Sequence, residues 1–172
     1  PFKTSDTNIG SEFISSIHYS KDGHVYMGSK FGGLSRFNIK TKEVIWDYCH
    51  LPQLFPSITS IQSDNRNIYA AVRDNILIIN KKTREIIQSL RTVNGGYIFW
   101  LDFDKFNRLW VTTYAGLECF EEINSQWRNT MTYTTQTATP NNLSTDLLHN
   151  IYSDTIKNEL IITSAMGINR VI

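Results

Sequence analysis

The sequence has few of the residues that would indicate a metal centre, a disulfide scaffold or a membrane span. Its 172 residues include two cysteines, four histidines and four prolines. Cys49 and Cys119 form no Cys-x-x-Cys pair, so neither a zinc site nor a redox motif is indicated. No apolar run approaches the roughly 18 residues that span a membrane. We therefore expect no metal, no cofactor and no direct membrane insertion in this segment.

The chain also lacks the patterns of several other functional classes. Its 17 basic and 16 acidic residues are spread evenly, whereas nucleic-acid binding needs a basic stripe that contacts phosphates. The motifs of zinc proteases, serine hydrolases and phosphate-binding loops are missing. Asp102 and Asp104 are followed at the next alternate position by Phe106, which offers calcium no oxygen, so they predict a turn. No window shows a sustained helical period, and we expect very little helix.

What the chain does have is an internal repeat. The segment Asn-Ile-Lys-Thr-Lys-Glu-Val-Ile at 38–45 returns as Asn-Lys-Lys-Thr-Arg-Glu-Ile-Ile at 80–87. Apolar pairs recur with a similar period at Val25-Tyr26, Ile68-Tyr69, Leu109-Trp110 and Leu160-Ile161. A Gly or Asn follows each pair, at Gly33, Asn75, Gly116 and Gly167, which predicts a tight hairpin turn with a positive φ at that residue.

Each repeat predicts four strands joined by three short turns. Four strands in a unit of roughly 40–50 residues are typical of a β-propeller blade. The blades are expected at about 14–48, 58–90, 97–131 and 147–172, and the last one lacks its outer strand. We therefore predict an all-β fold, a propeller sector of about four antiparallel blades in one domain. An antiparallel sandwich of short strands is the alternative.

The two ends of the sequence suggest a fragment of a longer protein. The chain begins at Pro1 and ends at Ile172 in the middle of a repeat. In one arrangement, the segment near Phe2-Lys3-Thr4 completes the fourth blade and closes a four-bladed ring. In the other, which we favour, the chain is a sector of a larger ring. Its exposed blade faces then self-associate or pack against the rest of the parent propeller.

Two segments, 23–38 and 107–120, resemble the two-component regulator propeller repeat. The matching positions are Asp22, Gly23, Gly28, Gly32, Gly33 and Leu34 in the first repeat, and Asp104, Trp110, Thr112, Gly116 and Leu117 in the third. The second repeat departs from the pattern, because Ala70, Ala71 and Asn75 stand at its small or glycine positions. The resemblance implies the periplasmic sensor region of a Bacteroides-type hybrid two-component histidine kinase, which responds to oligosaccharides and signals to a kinase elsewhere in the parent chain.

Propeller geometry indicates where a ligand would bind. Ligands lie over the mouth of the central channel, on the loops that join second to third strands and one blade to the next. The candidates on such loops are Lys30, Phe31, Arg73, Asp74 and Tyr114. Trp100 and His149 are candidates on innermost strands; Trp100 stands where the other repeats carry Ser16, Ser60 and Asn150. No catalytic residue is assigned.

Three functions remain open at this point. The first is a non-catalytic sensing module that binds an oligosaccharide or another small ligand. The second is a propeller-type lyase or hydrolase, which would need a cluster of histidine and acids at the channel mouth, where only His149 is expected. The third is a cell-surface or secretion-associated scaffold. The sequence favours the sensing module.

Overall fold

The computed structural model describes residues 13–30, 33–49, 51, 57–137 and 143–171. These residues form β-strands joined by turns and short loops. They include no helix that is long and apolar enough to cross a membrane. The chain divides into two compact units, Pro1–Ser89 and Leu90–Ile172, with the boundary inside the eighth strand.

The first unit contains two four-stranded antiparallel sheets. Each sheet places consecutive strands side by side, in the orders β1-β2-β3-β4 and β5-β6-β7-β8. The strands are β1 (Ile14–Tyr19), β2 (His24–Ser29), β3 (Leu34–Asn38), β4 (Val44–Cys49), β5 (Ile58–Ser63), β6 (Asn67–Val72), β7 (Asn75–Asn80) and β8 (Ile86–Arg91).

The second unit has one four-stranded sheet and, among the residues the structure describes, one three-stranded sheet. Their orders are β9-β10-β11-β12 and β13-β14-β15, again with sequential neighbours. The strands are β9 (Ile98–Phe103), β10 (Leu109–Thr113), β11 (Gly116–Ile123), β12 (Gln126–Tyr133), β13 (Leu148–Asp154), β14 (Glu159–Ser164) and β15 (Gly167–Val171). The sheets are therefore simple meanders, without the crossed connections of a Greek-key sandwich.

The repeated octapeptide builds the same loop twice. The side-chain oxygen of Asn38 accepts hydrogen bonds from the backbone N–H of Lys40 (2.9 Å) and Thr41 (3.1 Å). The side-chain oxygen of Asn80 accepts from Lys82 (2.9 Å) and Thr83 (3.0 Å). The loops then pass through a left-handed residue, Lys42 with φ 63° in the first and Arg84 with φ 64° in the second. The sequence repeat is thus a repeat of local hydrogen bonding.

The hairpin turns follow the expectation in three sheets and depart from it in one. Gly33, Gly116 and Gly167 have positive φ values of 78°, 118° and 119°. In the second sheet the positive φ falls on Arg73 (57°), and Asn75 pairs with Val72 in the regular ladder. The prediction of a positive φ at Asn75 was wrong: Arg73, the first of the two turn residues, takes the left-handed conformation, as in a type II′ hairpin, and Asn75 remains in the extended ladder.

Each unit has its own apolar core between its two sheets. In the first, Tyr26 and Leu34 of one sheet lie in a cluster with Ile58 and Ile68 of the other. In the second, Trp110 and Leu117 lie with Leu148 and Ile162. β6 is buried along its whole length because both of its faces are covered. Burial on both faces explains why these strands read as continuous apolar runs.

Candidate ligand-binding site

The first strand of every sheet carries a β-bulge near its start. The ladder shifts register between Ile14 and Ser16, between Ile58 and Ser60, between Leu148 and Ile151, and opposite Thr112 and Thr113 in the third sheet. A bulge leaves an extra residue outside the regular ladder and changes the direction of its side chain. In the first unit these extra residues are Ser15 and Thr59, and in the second they include Phe99 and His149.

The two bulges of the second unit bring aromatic rings together. The ring centroids of Phe99 and His149 lie 5.4 Å apart in an edge-to-face arrangement. The ring centroid of Tyr97 lies 5.7 Å from that of Phe99, also in an edge-to-face arrangement. We call Tyr97, Phe99 and His149 the aromatic row. His149 is exposed and the other two are half-buried, so part of the row is accessible to solvent.

Two further predicted residues lie beside the aromatic row. The backbone N–H of Tyr114 donates to the carbonyl of Tyr97 at 3.3 Å, and its side chain is 51% exposed. The Tyr114 hydroxyl donates to the carbonyl of Gly95 at 3.4 Å. Trp100 follows Phe99 in β9 and is 38% exposed. The second unit thus places Tyr114, Trp100 and His149 on one loop and two adjacent strands.

The backbone beneath the row is held by short contacts. The hydroxyl of Thr112 donates to the carbonyl of His149 at 2.6 Å, which ties β10 to β13. A Cβ atom at Gly96 would lie 2.6 Å from the hydroxyl oxygen of Thr113, so the loop before β9 approaches the β10–β11 hairpin more closely than any side chain would permit. These contacts fix where the rings of the row stand.

A buried acid anchors the same loop. Glu118 is fully buried, and both of its carboxylate oxygens lie 3.0 Å from the backbone nitrogen of Val93. The amide of Asn129 donates to one of them at 3.3 Å. Burial raises the pKa of the Glu118 carboxyl, against a smaller lowering effect of the backbone N–H groups of Val93 and Asn94. Glu118 therefore couples the loop before β9 to β11.

The remaining predicted residues belong to the first unit. The backbone N–H of Lys30 donates to the carbonyl of Phe13 at 2.8 Å. Arg73 and Asp74 form the β6–β7 turn, where Arg73 is exposed and Asp74 accepts a hydrogen bond from the side chain of Asn75 at 2.8 Å. Phe31 lies outside the described residues. The first unit does not assemble an aromatic surface comparable to the row from its described residues.

A hydrogen-bond network in the first unit contains lysine, serine and aspartate, residue types that also occur in catalytic sites. The ammonium group of Lys81 donates to the hydroxyl of Ser20 (2.8 Å), to Asp22 (3.0 Å) and to the carbonyl of Asp64 (2.6 Å). Ser20 is only 2% exposed, and its oxygen also accepts a hydrogen bond from Ser63 at 2.9 Å. A substrate has no access to that hydroxyl, so these contacts tie the two sheets together.

The contacts of Asp22 in this hydrogen-bond network explain its pKa. Its pKa is lowered to about 2, because the hydrogen bond and charge of Lys81 and the N–H of His24 outweigh the cost of burial. Among the described residues, no three His, Cys, Asp or Glu side chains come together in a way that could hold a metal ion.

Sequence reasoning identified part of the row and missed the rest. Of the row it selected His149 alone, together with Trp100 and Tyr114 beside it, and it missed Tyr97 and Phe99. The available signal was the run Tyr97-Ile98-Phe99-Trp100, with three aromatic residues at the start of an inner strand. What hid it was the bulge, because the alternation of a regular strand would direct Phe99 into a sheet face.

Comparisons with known proteins agree on the architecture. No family model and no curated protein matches the chain. The β-propeller domain of Cps50 (Swd1) from Myceliophteria thermophila is similar with a TM-score of 0.71 and 10% identity, over 94% of this chain and 52% of that one. The chain is thus a β-propeller sector of four blades, with three described strands in the last, and the prediction of the fold class is confirmed.

Two other similar structures match the resemblance noted in the sequence. The extracellular domain of BT4673 from B. thetaiotaomicron, described as a hybrid two-component system, has a TM-score of 0.76 and 18% identity over 98% of this chain. That of BT3049 from the same organism, described in the same way, has a TM-score of 0.70 and 22% identity over 99% of this chain. The chain spans about a fifth of each, 22% of their lengths.

Proposed function

We propose that the chain is part of a non-catalytic, extracytoplasmic sensing propeller of a hybrid two-component system, and that it binds an oligosaccharide at the aromatic row. The observation that carries this proposal is the contact between Phe99 and His149, which sets the half-buried ring of one blade beside the exposed ring of the next. The fold likeness to the extracellular domains of BT4673 and BT3049 supports the sensing role. The periplasm is the compartment that this role implies.

The row suits a sugar for a physical reason. One face of a pyranose carries C–H groups that pack on aromatic rings, and its hydroxyl groups need polar partners at the edge. Tyr97 and Phe99 supply the rings. The exposed Asn150 and Tyr114 lie on the adjoining strand and hairpin, and the Tyr114 hydroxyl, which donates to the carbonyl of Gly95, can still accept a hydrogen bond from a sugar. The charge balance of the chain also fits a neutral ligand better than a strongly charged one.

A ligand on the row would touch two blades at once. Phe99 belongs to β9 and His149 to β13. The hydroxyl of Thr112, in β10, donates to the carbonyl of His149 and so connects the two blades. Binding would therefore favour one packing arrangement of these blades over others, by as much as its affinity for the two arrangements differs. We propose that this preference is what the parent chain passes on to its kinase.

The first blade carries a face that we propose packs against another blade. Ile17 pairs with Met27, and the equivalent pairs in other sheets are Ile61 with Ala70 and Ile151 with Ile162. Ile61 is 3% exposed in the core of the first unit, whereas Ile17 is 70% exposed. The repeat buries this position wherever a preceding blade is present, so the partner is a further blade of the parent propeller or of a second copy.

A binding screen with product analysis tests the proposed function. The chain is titrated with a library of neutral and acidic oligosaccharides, and each mixture is then analysed chromatographically for new products. Binding without turnover supports the sensing module. A new product would establish the lyase or hydrolase instead, and binding of no sugar by the intact parent domain would favour a scaffold.

A further inference from the structure

One end of the second unit carries no aspartate, glutamate, lysine or arginine. The backbone N–H of Tyr114 donates to the carbonyl of Tyr97 at 3.3 Å, and that of Ala165 donates to the carbonyl of Leu147 at 3.2 Å, so two hairpins meet the starts of two inner strands there. We call the segments of this end, which also carry the aromatic row, the uncharged end: 92–101, 110–117, 147–151 and 161–169. Charged residues make up 19% of the whole chain, so their absence here is a local feature.

The opposite end of the same sheets is rich in charge. Because neighbouring strands are antiparallel, the β9–β10 and β13–β14 turns lie at the end away from the β10–β11 and β14–β15 hairpins. These turns and the residues that flank them carry Asp104, Lys105, Arg108, Asp154, Lys157 and Glu159. The second unit thus separates its charged residues from the aromatic row.

The first unit shows that the repeat itself accepts charge at this place. Its β6–β7 turn consists of Arg73 and Asp74, between the paired residues of the hairpin. The same two positions in the second unit hold only uncharged residues, Tyr114-Ala115 in the β10–β11 turn and Ala165-Met166 in the β14–β15 turn. The lack of charge is therefore a property of the second unit and not of the fold.

The charged residues that border the uncharged end are occupied elsewhere. They are Arg91, Asp102, Glu118, Asp146 and Arg170. The three acids accept hydrogen bonds from backbone N–H groups, at 2.8 Å for Asp102, 3.0 Å for Glu118 and 2.6 Å for Asp146. Nε of Arg170 donates to Glu159 at 2.9 Å, and Arg91 lies on β8, the outermost strand of its sheet. The segments around the row thus offer an anionic ligand no ammonium or guanidinium group.

The uncharged end does offer neutral hydrogen-bonding groups. Trp100 and Asn150 are each the third residue of an inner strand, β9 and β13, and both are exposed. Within the part of the chain that the structure describes, neither side chain has a hydrogen-bond partner. An indole donates one hydrogen bond, and an amide both donates and accepts, so the two can serve hydroxyl groups. A carboxylate or sulfate bound there would lose hydration without gaining an ion pair.

We propose that the uncharged end selects neutral saccharides and excludes sugars that carry a carboxylate or a sulfate. This inference rests on the proposed function and narrows its ligand to a chain of uncharged sugars bound at the aromatic row. Trp100 and Asn150 bind its hydroxyl groups. Because no charged group takes part, the affinity depends on ring contacts and neutral hydrogen bonds and is nearly independent of salt.

Matched pairs of trisaccharides test this inference by calorimetric titration. Cellotriose, β-1,4-mannotriose and α-1,4-galactotriose are each compared with the uronic acid trimer of the same linkage. We expect at least one neutral trimer to bind about ten-fold or more tightly than its acidic counterpart, the scale on which an unpaired polar group acts. We also expect its affinity to change by less than about two-fold between low and high salt.

Two lysine variants separate a local charge from the overall charge of the chain. Asn150→Lys places an ammonium group next to His149 and should shift the affinity ratio toward the acidic trimer by about five-fold, the scale of an exposed ion pair. Ile156→Lys adds the same charge in the β13–β14 turn, where Ile156 is 93% exposed, and should leave the ratio unchanged. Equal ratios in the two variants would overturn the inference.

The remaining outcomes distinguish this inference from the proposed function on which it rests. If the unsubstituted chain binds an acidic trimer as tightly as its neutral counterpart, and Phe99→Ala weakens that binding, charge selection is overturned while a sugar site at the row is retained. If the chain binds none of the six trimers and no sugar of the wider screen, both proposals are overturned.

Discussion

The rings of Phe99 and His149 meet edge to face with their centroids 5.4 Å apart, although the residues belong to different sheets. Each stands at a β-bulge near the start of the first strand of its sheet. The same bulge in the first unit presents Ser15 and Thr59, whose hydroxyls bond to backbone carbonyls. The same β-bulge thus presents hydroxyl groups that bond to the backbone in the first unit and aromatic rings that contact each other in the second.

The loop before β9 should tolerate no side chain at Gly96. In Gly96→Ala the added Cβ would lie 2.6 Å from the Thr113 hydroxyl oxygen and 2.8 Å from its Cβ, so the loop must move. We expect a loss of about 1–3 kcal/mol in the free energy of unfolding, measured by denaturant titration. Val93→Ala, in the exposed part of the same loop, is the control and should cost little. Equal stability of Gly96→Ala and the parent would show that the loop is not held as described.

The two copies of the repeated loop should respond alike to mutation. Asn80→Ala removes the acceptor for the N–H groups of Lys82 and Thr83, and Asn38→Ala removes its counterpart. Each change should lower the free energy of unfolding by about 1–2 kcal/mol, the usual cost of losing a side-chain cap on backbone N–H groups. Lys82→Ala is the matched exposed control. A neutral effect at one site and a large effect at the other would contradict the structural equivalence.

Local and non-local features differ in how far the sequence reveals them. The Asn38 and Asn80 loops and the Gly116 turn are set by hydrogen bonds and φ values within a few residues, so the pattern predicted them. The bulge at Phe99 lies in the pairing of β9 with the next strand, β10, but no residue pattern marks where that register shifts, and the contact of Phe99 with His149 joins two different sheets. His149 was therefore predicted as a candidate without Phe99, the ring it contacts.

Glu118 should give the second unit a pH-dependent stability. Burial raises the pKa of this carboxyl above its ordinary value of 4.5, so the folded chain retains the proton to higher pH than the unfolded chain does. Its contribution to stability is present below about pH 4.5 and is lost as the pH rises through the folded pKa. Glu118→Gln, which stays neutral, should become progressively more stable than the parent between pH 4.5 and 7 in thermal melts.

A matched variant makes the pH test specific to this carboxyl. Glu122→Gln, at the exposed end of β11, removes the same charge and should not reproduce the pH-dependent difference. A constant difference between Glu118→Gln and the parent across that pH range would mean that the carboxyl titrates alike in both states.

The exposed face of the first blade should drive association of the isolated chain. Ile17 is 70% exposed where its equivalent Ile61 is 3% exposed. We expect sedimentation to show a dimer or a larger species, and Ile17→Glu to shift it toward monomer. Ile156→Glu is the control, since Ile156 is 93% exposed in the β13–β14 turn. If the unsubstituted 172-residue chain stays monomeric at high concentration, the proposed packing of this face is contradicted.

Calorimetric titration with an oligosaccharide selected by the screen tests the central claim most directly. The unsubstituted chain and a Phe106→Ala control should bind alike and leave the sugar intact. Phe106 is an exposed phenylalanine in the β9–β10 turn. The Phe99→Ala/His149→Ala variant should bind about ten-fold or more weakly, the scale on which removing a contacting aromatic ring acts. Undiminished affinity in that folded variant, or conversion of the sugar to a product, would contradict a non-catalytic sugar site at the aromatic row.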